Sequence, residues 1–195
     1  KALALELQNR KQTLVLMTDR RGITFNGTPP SIKTICVQAA GYSGKSIGGR
    51  TAATVQLGLG LAKSYMVLRR LQPAAVVGFG SYPSVPSVLA ASLLSIPTVL
   101  HEQNAVLGRA NRLLARRATH IATAFEKVSE ISEAQKHKVI WTGNPVRPDI
   151  VDLHKMPYPK LTEKGTLHLL VTGGSQGAKI FSDIVPAALA SLNAS

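Results

Sequence analysis

Short, almost uninterrupted apolar runs alternate with longer helical patterns along the chain, and this rhythm restricts the fold more than any other feature. The runs cover residues 13–19 (TLVLMTD), 32–37 (IKTICV), 74–80 (AAVVGFG), 97–102 (PTVLHE), 120–125 (HIATAF), 138–143 (KVIWTG) and 167–173 (LHLLVTG). Each has the length, and the lack of polar alternation, of a strand buried on both faces. Between them the spacing predicts helices over 51–71, 83–94, 109–117 and 178–192, and the opening KALALELQNR reads as the later part of another. Pro73, Pro97 and Pro145 fall at element edges, where a missing N–H costs least. A βαβα order of this kind predicts a parallel sheet covered by helices on both faces. Ligands of such sheets bind beyond the carboxyl ends of the strands.

Charge narrows the partners. The 195 residues carry a formal charge of +13, from 23 Lys and Arg against 10 Asp and Glu. This predicts nucleic acid, a phosphorylated ligand or an anionic membrane surface as partner. Aromatics make up only 5% of the chain, its basic residues are dispersed, and no nucleic-acid motif is present, so nucleic acid is not expected. A single cysteine, Cys36, excludes an intrachain disulfide and every multi-cysteine zinc pattern. His101, His120, His137, His154 and His168 form neither H-x-H nor H-x-x-x-H, so no metal site is expected. No apolar run approaches the roughly 20 residues that span a bilayer, so any membrane contact is expected to be peripheral.

The chemistry lies in the residues just after each run. TGGSQGA offers Gly173, Gly174 and Gly177 for close backbone approach, with Ser175 and Gln176 between them and a helix start behind. That arrangement suits a diphosphate or forms a plain glycine turn; it matches neither the dinucleotide fingerprint nor the P-loop. In GFGSYP, Gly78 and Gly80 make a tight turn or a second meeting of backbone and ligand. In TGNPVR, Arg147 is solvated after an Asn-Pro turn, or faces a phosphate or uracil in a cleft. His101 closes a strand beside Glu102, Gln103 and Asn104, a place where general acid–base chemistry would need such groups. Neither a nucleophile elbow nor a Ser-His-Asp order is present. Arg109, Arg112 and Arg116 share one helical face with Arg117 beside it, either solvated or set against anionic headgroups at about 1 kcal/mol per cation. The helix over 51–71 is apolar on more than one stripe and weakened by Gly58 and Gly60. Burial is its default, and an exposed apolar edge ending in Arg69 and Arg70 would suit a lipid surface.

Residues 76–118 (VVGFGSYPSVPSVLAASLLSIPTVLHEQNAVLGRANRLLARRA), 142–147 (TGNPVR) and 169–179 (LLVTGGSQGAK), in this order and at this spacing, resemble the MurG family of bacterial glycosyltransferases of peptidoglycan synthesis. The likeness covers nearly the whole chain, and it is the joint set of motifs that is specific. The resemblance implies a GT-B enzyme: Rossmann-like α/β domains, each a parallel sheet with helices on both faces, here truncated at both ends. It implies inverting transfer of N-acetylglucosamine from UDP-GlcNAc to lipid I (undecaprenyl-diphosphate-MurNAc-pentapeptide), giving lipid II. The implied place is the cytoplasmic face of the bacterial inner membrane, with peripheral contact to its anionic surface. Other cell-wall synthesis proteins are implied partners, and no cofactor or nucleic acid is.

On this resemblance residues 1–143 correspond to the acceptor- and membrane-facing domain without its first strand and loop. Residues 144–164 correspond to an interdomain linker, and 165–195 to the start of the UDP-GlcNAc-binding domain. Asn104, Arg147 and Ser175 match donor contacts, with Gly173, Gly174, Gln176 and Gly177 around the donor diphosphate. Gly78, Gly80, Ser81 and Tyr82 match a loop for the acceptor diphosphate, Ser81 standing where the family has glycine. His101 and Glu102 are candidate helpers. The family's general base is the histidine of a G-G-T-G-G-H loop that these residues do not contain, so the chain by itself is expected to be an inactive fragment. Two other readings are a GT-B transferase of lipids or secondary metabolites, and a basic nucleic-acid module. HEQN together with GNPVR argues against the first, and the scarcity of aromatics against the second.

Overall fold

The computed structural model describes residues 1–24, 31–39, 47–158, 160, 165–166, 168–173 and 179–192. Within them the apolar runs become β1 (Val15–Thr18), β2 (Lys33–Cys36), β3 (Val76–Gly78), β4 (Thr98–Glu102), β5 (His120–Thr123) and β6 (Val139–Trp141). All pairings are parallel, β1 with β2 and then β3-β4-β5-β6 in chain order. The parallel layer is thus divided into a two-stranded and a four-stranded piece. Sequential parallel order places Gly78, Glu102, Thr123 and Trp141, the last residues of β3 to β6, along one edge.

The helices are α1 (Ala2–Asn9), α2 (Arg20–Thr24), α3 (Ile47–Leu71), α4 (Ser81–Leu93), α5 (Arg109–Ala115), α6 (Pro148–Leu153) and α7 (Lys179–Ala190), with a 3-10 turn at Glu133–Lys138. Leu100 and Ile121 are register partners, so their side chains leave the sheet on the same face. Val85 and Val88 of α4 and Leu107, Ala110 and Leu114 around α5 close over them as one core cluster. A second cluster joins Leu68 of α3 to Ala90 and Ala91 of α4, with Met17 of β1 and Val76 of β3 packed against it. It links the two pieces of sheet.

Gly60 has a different role from the helix-weakening one its residue type suggests. A Cβ there would collide with the Gln38 carbonyl and press on the Pro86 ring, so its bareness lets α3 lie close to α4 and the end of β2. Buried Ser64 and Ser87 meet across the same contact at 3.5 Å. Small residues (Ala53, Gly60, Ser64) turn α3 toward the core, and Val55, Leu59 and Met66 are left exposed. The burial expected of this helix therefore holds for only one side of it.

The chain divides into two compact units, Lys1–Leu153 and His154–Ser195. In the second, residues 168–173 form no strand, contrary to the apolar pattern. A parallel strand is held by ladder bonds to a neighbour, and no other strand lies among the described residues of that unit. Leu169, Leu170 and Val171 are accordingly exposed. Residues 148–153 are helical inside the stretch expected as linker, because Pro148 opens the helix where its missing N–H is harmless and Asp149 complements its dipole. Helix α5 ends at Ala115, two residues before the sequence pattern does. The Lys138 ammonium donates to the carbonyls of Arg116 and Ala118 and closes that end.

The cluster makes a quantitative demand. Leu114, fully buried between α5 and the sheet, should cost about 2–5 kcal/mol when cut to alanine. Denaturant unfolding that shows the Leu114→Ala midpoint unmoved would place the core elsewhere.

Candidate functional site at the carboxyl edge of the sheet

Strand β4 carries its burial to its last residues, His101 and Glu102, which are only 6% and 2% exposed. Neighbours in a strand point to opposite faces. Glu102 therefore shares the α5 side with Leu100, and His101 points the other way.

Glu102 is met by four donors. Its Oε1 accepts from the backbone N–H of Asn104 at 3.0 Å and from Asn104 Nδ2 at 2.9 Å. Its Oε2 accepts from the N–H of Gly108 at 2.8 Å and from Asn111 Nδ2 at 2.9 Å. A carboxylate offers about four lone-pair positions, so this set fills it. Burial pushes the Glu102 pKa up. The bonds from Gly108, Asn111 and both groups of Asn104 outweigh that push and leave it below the ordinary value.

His101 is bracketed in the same manner. Its Nε2 donates to the Gly143 carbonyl at 3.1 Å, since that carbonyl can only accept. Its Nδ1 then accepts from Gln103 Nε2 at 3.0 Å. The Phe79 ring lies against it with centroids 5.4 Å apart. Both ring nitrogens are engaged, and the imidazole ties the end of β4 to the TGN turn after β6. Gly143 itself sits at φ +75°, where glycine is free of strain. His101 and Glu102 each tie the end of β4 to a neighbouring loop.

The β3–α4 turn adds the third wall. Gly80 has φ +71° and Ser81 φ +59°. Gly80 precedes α4 and lends it no side-chain cap, and the helix starts at the carboxyl edge, where its dipole has the polarity suited to an anion. Gly78 is held bare by Val88, whose Cγ2 would lie 2.7 Å from a Cβ. Ser81, where a glycine was expected, carries the left-handed penalty of about 1–2 kcal/mol. The loop keeps the glycine-like shape without the glycine.

The other expected residues divide. Asn104 is exposed, its Nδ2 held by Glu102. Arg147 is exposed; its carbonyl starts α6 by accepting from Ile150 and Val151, and its guanidinium has no partner among the described residues. Tyr82 is half-buried in the first turn of α4. Gly173 is exposed in the second unit. Gly174, Ser175, Gln176 and Gly177 lie outside the described residues. The structure therefore brings the GFGSY turn, HEQN and the TGN turn to one edge. Among the described residues no three His, Cys, Asp or Glu side chains converge to hold a metal. On α5, Arg112 pairs with Glu130 at 2.9 Å, a half-exposed contact worth under about 1 kcal/mol.

Sequence reasoning passed over Asn111, Phe79 and Gly143. The one available signal was Asn111 itself, since asparagine is a poor helix-interior residue unless its side chain has work there.

A parallel α/β layer with its polar loops gathered at the carboxyl edge defines a Rossmann-like, ligand-binding domain. The family description "Glycosyltransferase family 28 N-terminal domain" matches residues 1–123, and the chain belongs to that family. It is similar to the UDP-N-acetylglucosamine–N-acetylmuramyl-(pentapeptide) pyrophosphoryl-undecaprenol N-acetylglucosamine transferase of Methylobacterium nodulans, 49% identical over 194 residues, covering 99% of this chain and 52% of that protein. The protein of the same name from Paramagnetospirillum magneticum is 47% identical over 191 residues, 98% of this chain and 52% of its own. The crystal structure of Acinetobacter baumannii MurG superposes with a TM-score of 0.69 at 26% identity, over 98% of this chain and 50% of that one. The fold is therefore that of the MurG-like GT-B enzymes. The chain spans about half the length of the curated relatives it matches.

Two measurements test the site's construction. Glu102→Gln turns one acceptor into a donor facing donors and should destabilise by about 2–3 kcal/mol. Because the folded pKa of Glu102 is depressed, its contribution is complete above the unfolded value of about 4.3 and is lost as pH falls through the folded value. The gap between wild type and Glu102→Gln should thus close on acidification, and a gap constant from pH 7 to pH 3 would contradict the network. Ser81→Gly should raise stability by about 1 kcal/mol by releasing the φ +59° strain. A loss on thermal melting would show that the hydroxyl matters more than the backbone.

Proposed function

We propose that this chain is the acceptor-side half of an inverting transferase that moves N-acetylglucosamine from UDP-GlcNAc to lipid I, giving lipid II. The observation that carries the reading is the Asn104 amide pinned by Glu102 at the carboxyl edge of a family 28 domain. Held in that way, Asn104 meets the donor from a fixed position. Arg147, with an unpaired guanidinium among the described residues, supplies charge to the donor. Ser175, with Gly173, Gly174, Gln176 and Gly177, receives the donor diphosphate. The turn into α4 at Gly80, Ser81 and Tyr82, backed by Gly78, receives the acceptor diphosphate. His101 and Glu102 position these loops.

On this reading residues 1–143 serve the acceptor and the membrane, 144–164 act as linker, and 165–195 begin the donor-binding part. Binding to the membrane is peripheral, at its cytoplasmic face. No helix among the described residues is long and apolar enough to cross a bilayer. Val55, Leu59 and Met66, each more than half exposed on α3, run beside exposed Lys63, Arg69 and Arg70. An apolar strip flanked by cations suits an anionic lipid surface.

A chimera in which these residues replace the matching half of the Methylobacterium nodulans relative should transfer radiolabelled GlcNAc to lipid I. Asn104→Ala and Arg147→Ala should each lower kcat/KM about 10–100-fold. A folded chimera without transfer, or with both variants at full activity, would defeat the proposal. In sedimentation with phosphatidylglycerol vesicles, Leu59→Glu combined with Met66→Glu should weaken binding by about tenfold or more. Unaltered sedimentation, or preference for DNA over vesicles, would move the membrane face elsewhere.

A further inference from the structure

Asn111 is 2% exposed in α5 and belongs to none of the motifs the proposed reaction uses. Both hydrogens of its Nδ2 are committed, to the His101 carbonyl at 3.2 Å and to Glu102 Oε2 at 2.9 Å. Those two acceptors fix which way the amide faces, and Oδ1 is left buried without a partner among the described residues. An orphaned buried acceptor weakens a fold, and a leucine, with the same branching and no polar atom, would fill the position without that cost. Packing alone therefore does not account for asparagine here.

The Gly80 turn shows what the amide adjoins. A Cβ on Gly80 would lie 3.1 Å from Asn111 Nδ2 and 3.4 Å from its Oδ1. The amide thus lies against the bare Cα at the start of α4, and Gly80 is glycine for this contact as well as for its φ of +71°. On its other side the amide holds Glu102 Oε2, while Oε1 holds the backbone and side chain of Asn104. One continuous series of contacts runs from Gly80 through Asn111 and Glu102 to Asn104.

We infer that Asn111 is a positioning residue that sets the spacing between the Gly80 turn and Asn104, and so between the two loops that meet the acceptor and the donor. The substrate assignment of those loops rests on the transferase reading; the coupling between them does not. Asn111 touches no reacting atom. It acts by holding Glu102, which in turn holds Asn104.

The test uses the labelled chain without substrate, so that its failure is distinct from failure of the transfer assay. Asn111→Leu keeps the branching of the side chain and removes the amide. The backbone N–H groups of Asn104 and Gly108 should then exchange about tenfold faster. The Asn104 side-chain amide and the Ser81 N–H should shift in the nitrogen–proton spectrum, with β5 protected as before. Unmoved Asn104 and Ser81 signals would overturn the inference, and so would acceleration spread evenly through β5, which marks a simple packing loss. Asn111→Asp keeps the shape but sets a carboxylate against Glu102. It should reproduce the Asn104 changes and raise the midpoint of the Glu102 carboxyl titration. An aspartate variant with wild-type Asn104 and Ser81 signals would mean that the Nδ2 donors do not hold the loop.

Discussion

The site depends on a buried carboxylate that the protein has fully occupied. Desolvating Glu102 is unfavourable, and only four well-placed donors make the ionised form acceptable at that position. The donors come from both ends of the loop after β4 and from α5. Satisfying the charge therefore fixes Asn104, Gly108 and Asn111 together. An apolar residue at 102 would pack as well against α5 and would specify none of them. The cost of burying charge is turned into geometry, which a binding edge needs more than it needs stability.

His101 completes the arrangement on the opposite face of the same strand. Neighbouring residues in a strand diverge, so one dipeptide braces two directions: Glu102 toward α5, His101 toward the TGN turn after β6. The HEQN and TGNPVR motifs, about forty residues apart in the chain, are held through one imidazole hydrogen bond. Parallel strand order then accounts for the GFGSY turn arriving at the same edge, because β3 lies next to β4 and ends on the same side.

The architecture was legible because buried parallel strands are written as continuous apolar runs, and β1 to β6 arise from six of them. The run at 167–173 misled because its pattern reports what a segment would bury, and a strand also needs a partner. Gly60 misled for a related reason: the sequence carries the entropy cost of a glycine but not the Gln38 carbonyl that requires one. At the site, the exposed loop residues stood out by type and place. The residues that orient them did not. His101 stood out by type, but its tie to Gly143 could not be read from the sequence, and Asn111 is silent without the Glu102 contact that gives it meaning.

Helix α3 illustrates how one element serves two surfaces with different demands. Its contact with α4 combines residues with almost no side chain, Gly60 and Ser64, which permit close approach, with Leu68, which packs on Ala90 and Ala91. Leu57, Leu61, Tyr65 and Leu68 of the same helix pack on the core, and Val55, Leu59 and Met66 lie on the outside as well. A helix selected only for stability in water would carry a polar outer face. The exposed apolar strip is consistent with an outer face that meets something apolar, and the neighbouring Lys63, Arg69 and Arg70 give that surface a positive border. The net charge of +13 then contributes through position, with cations beside exposed apolar side chains, which is the pairing a headgroup layer over hydrocarbon would reward.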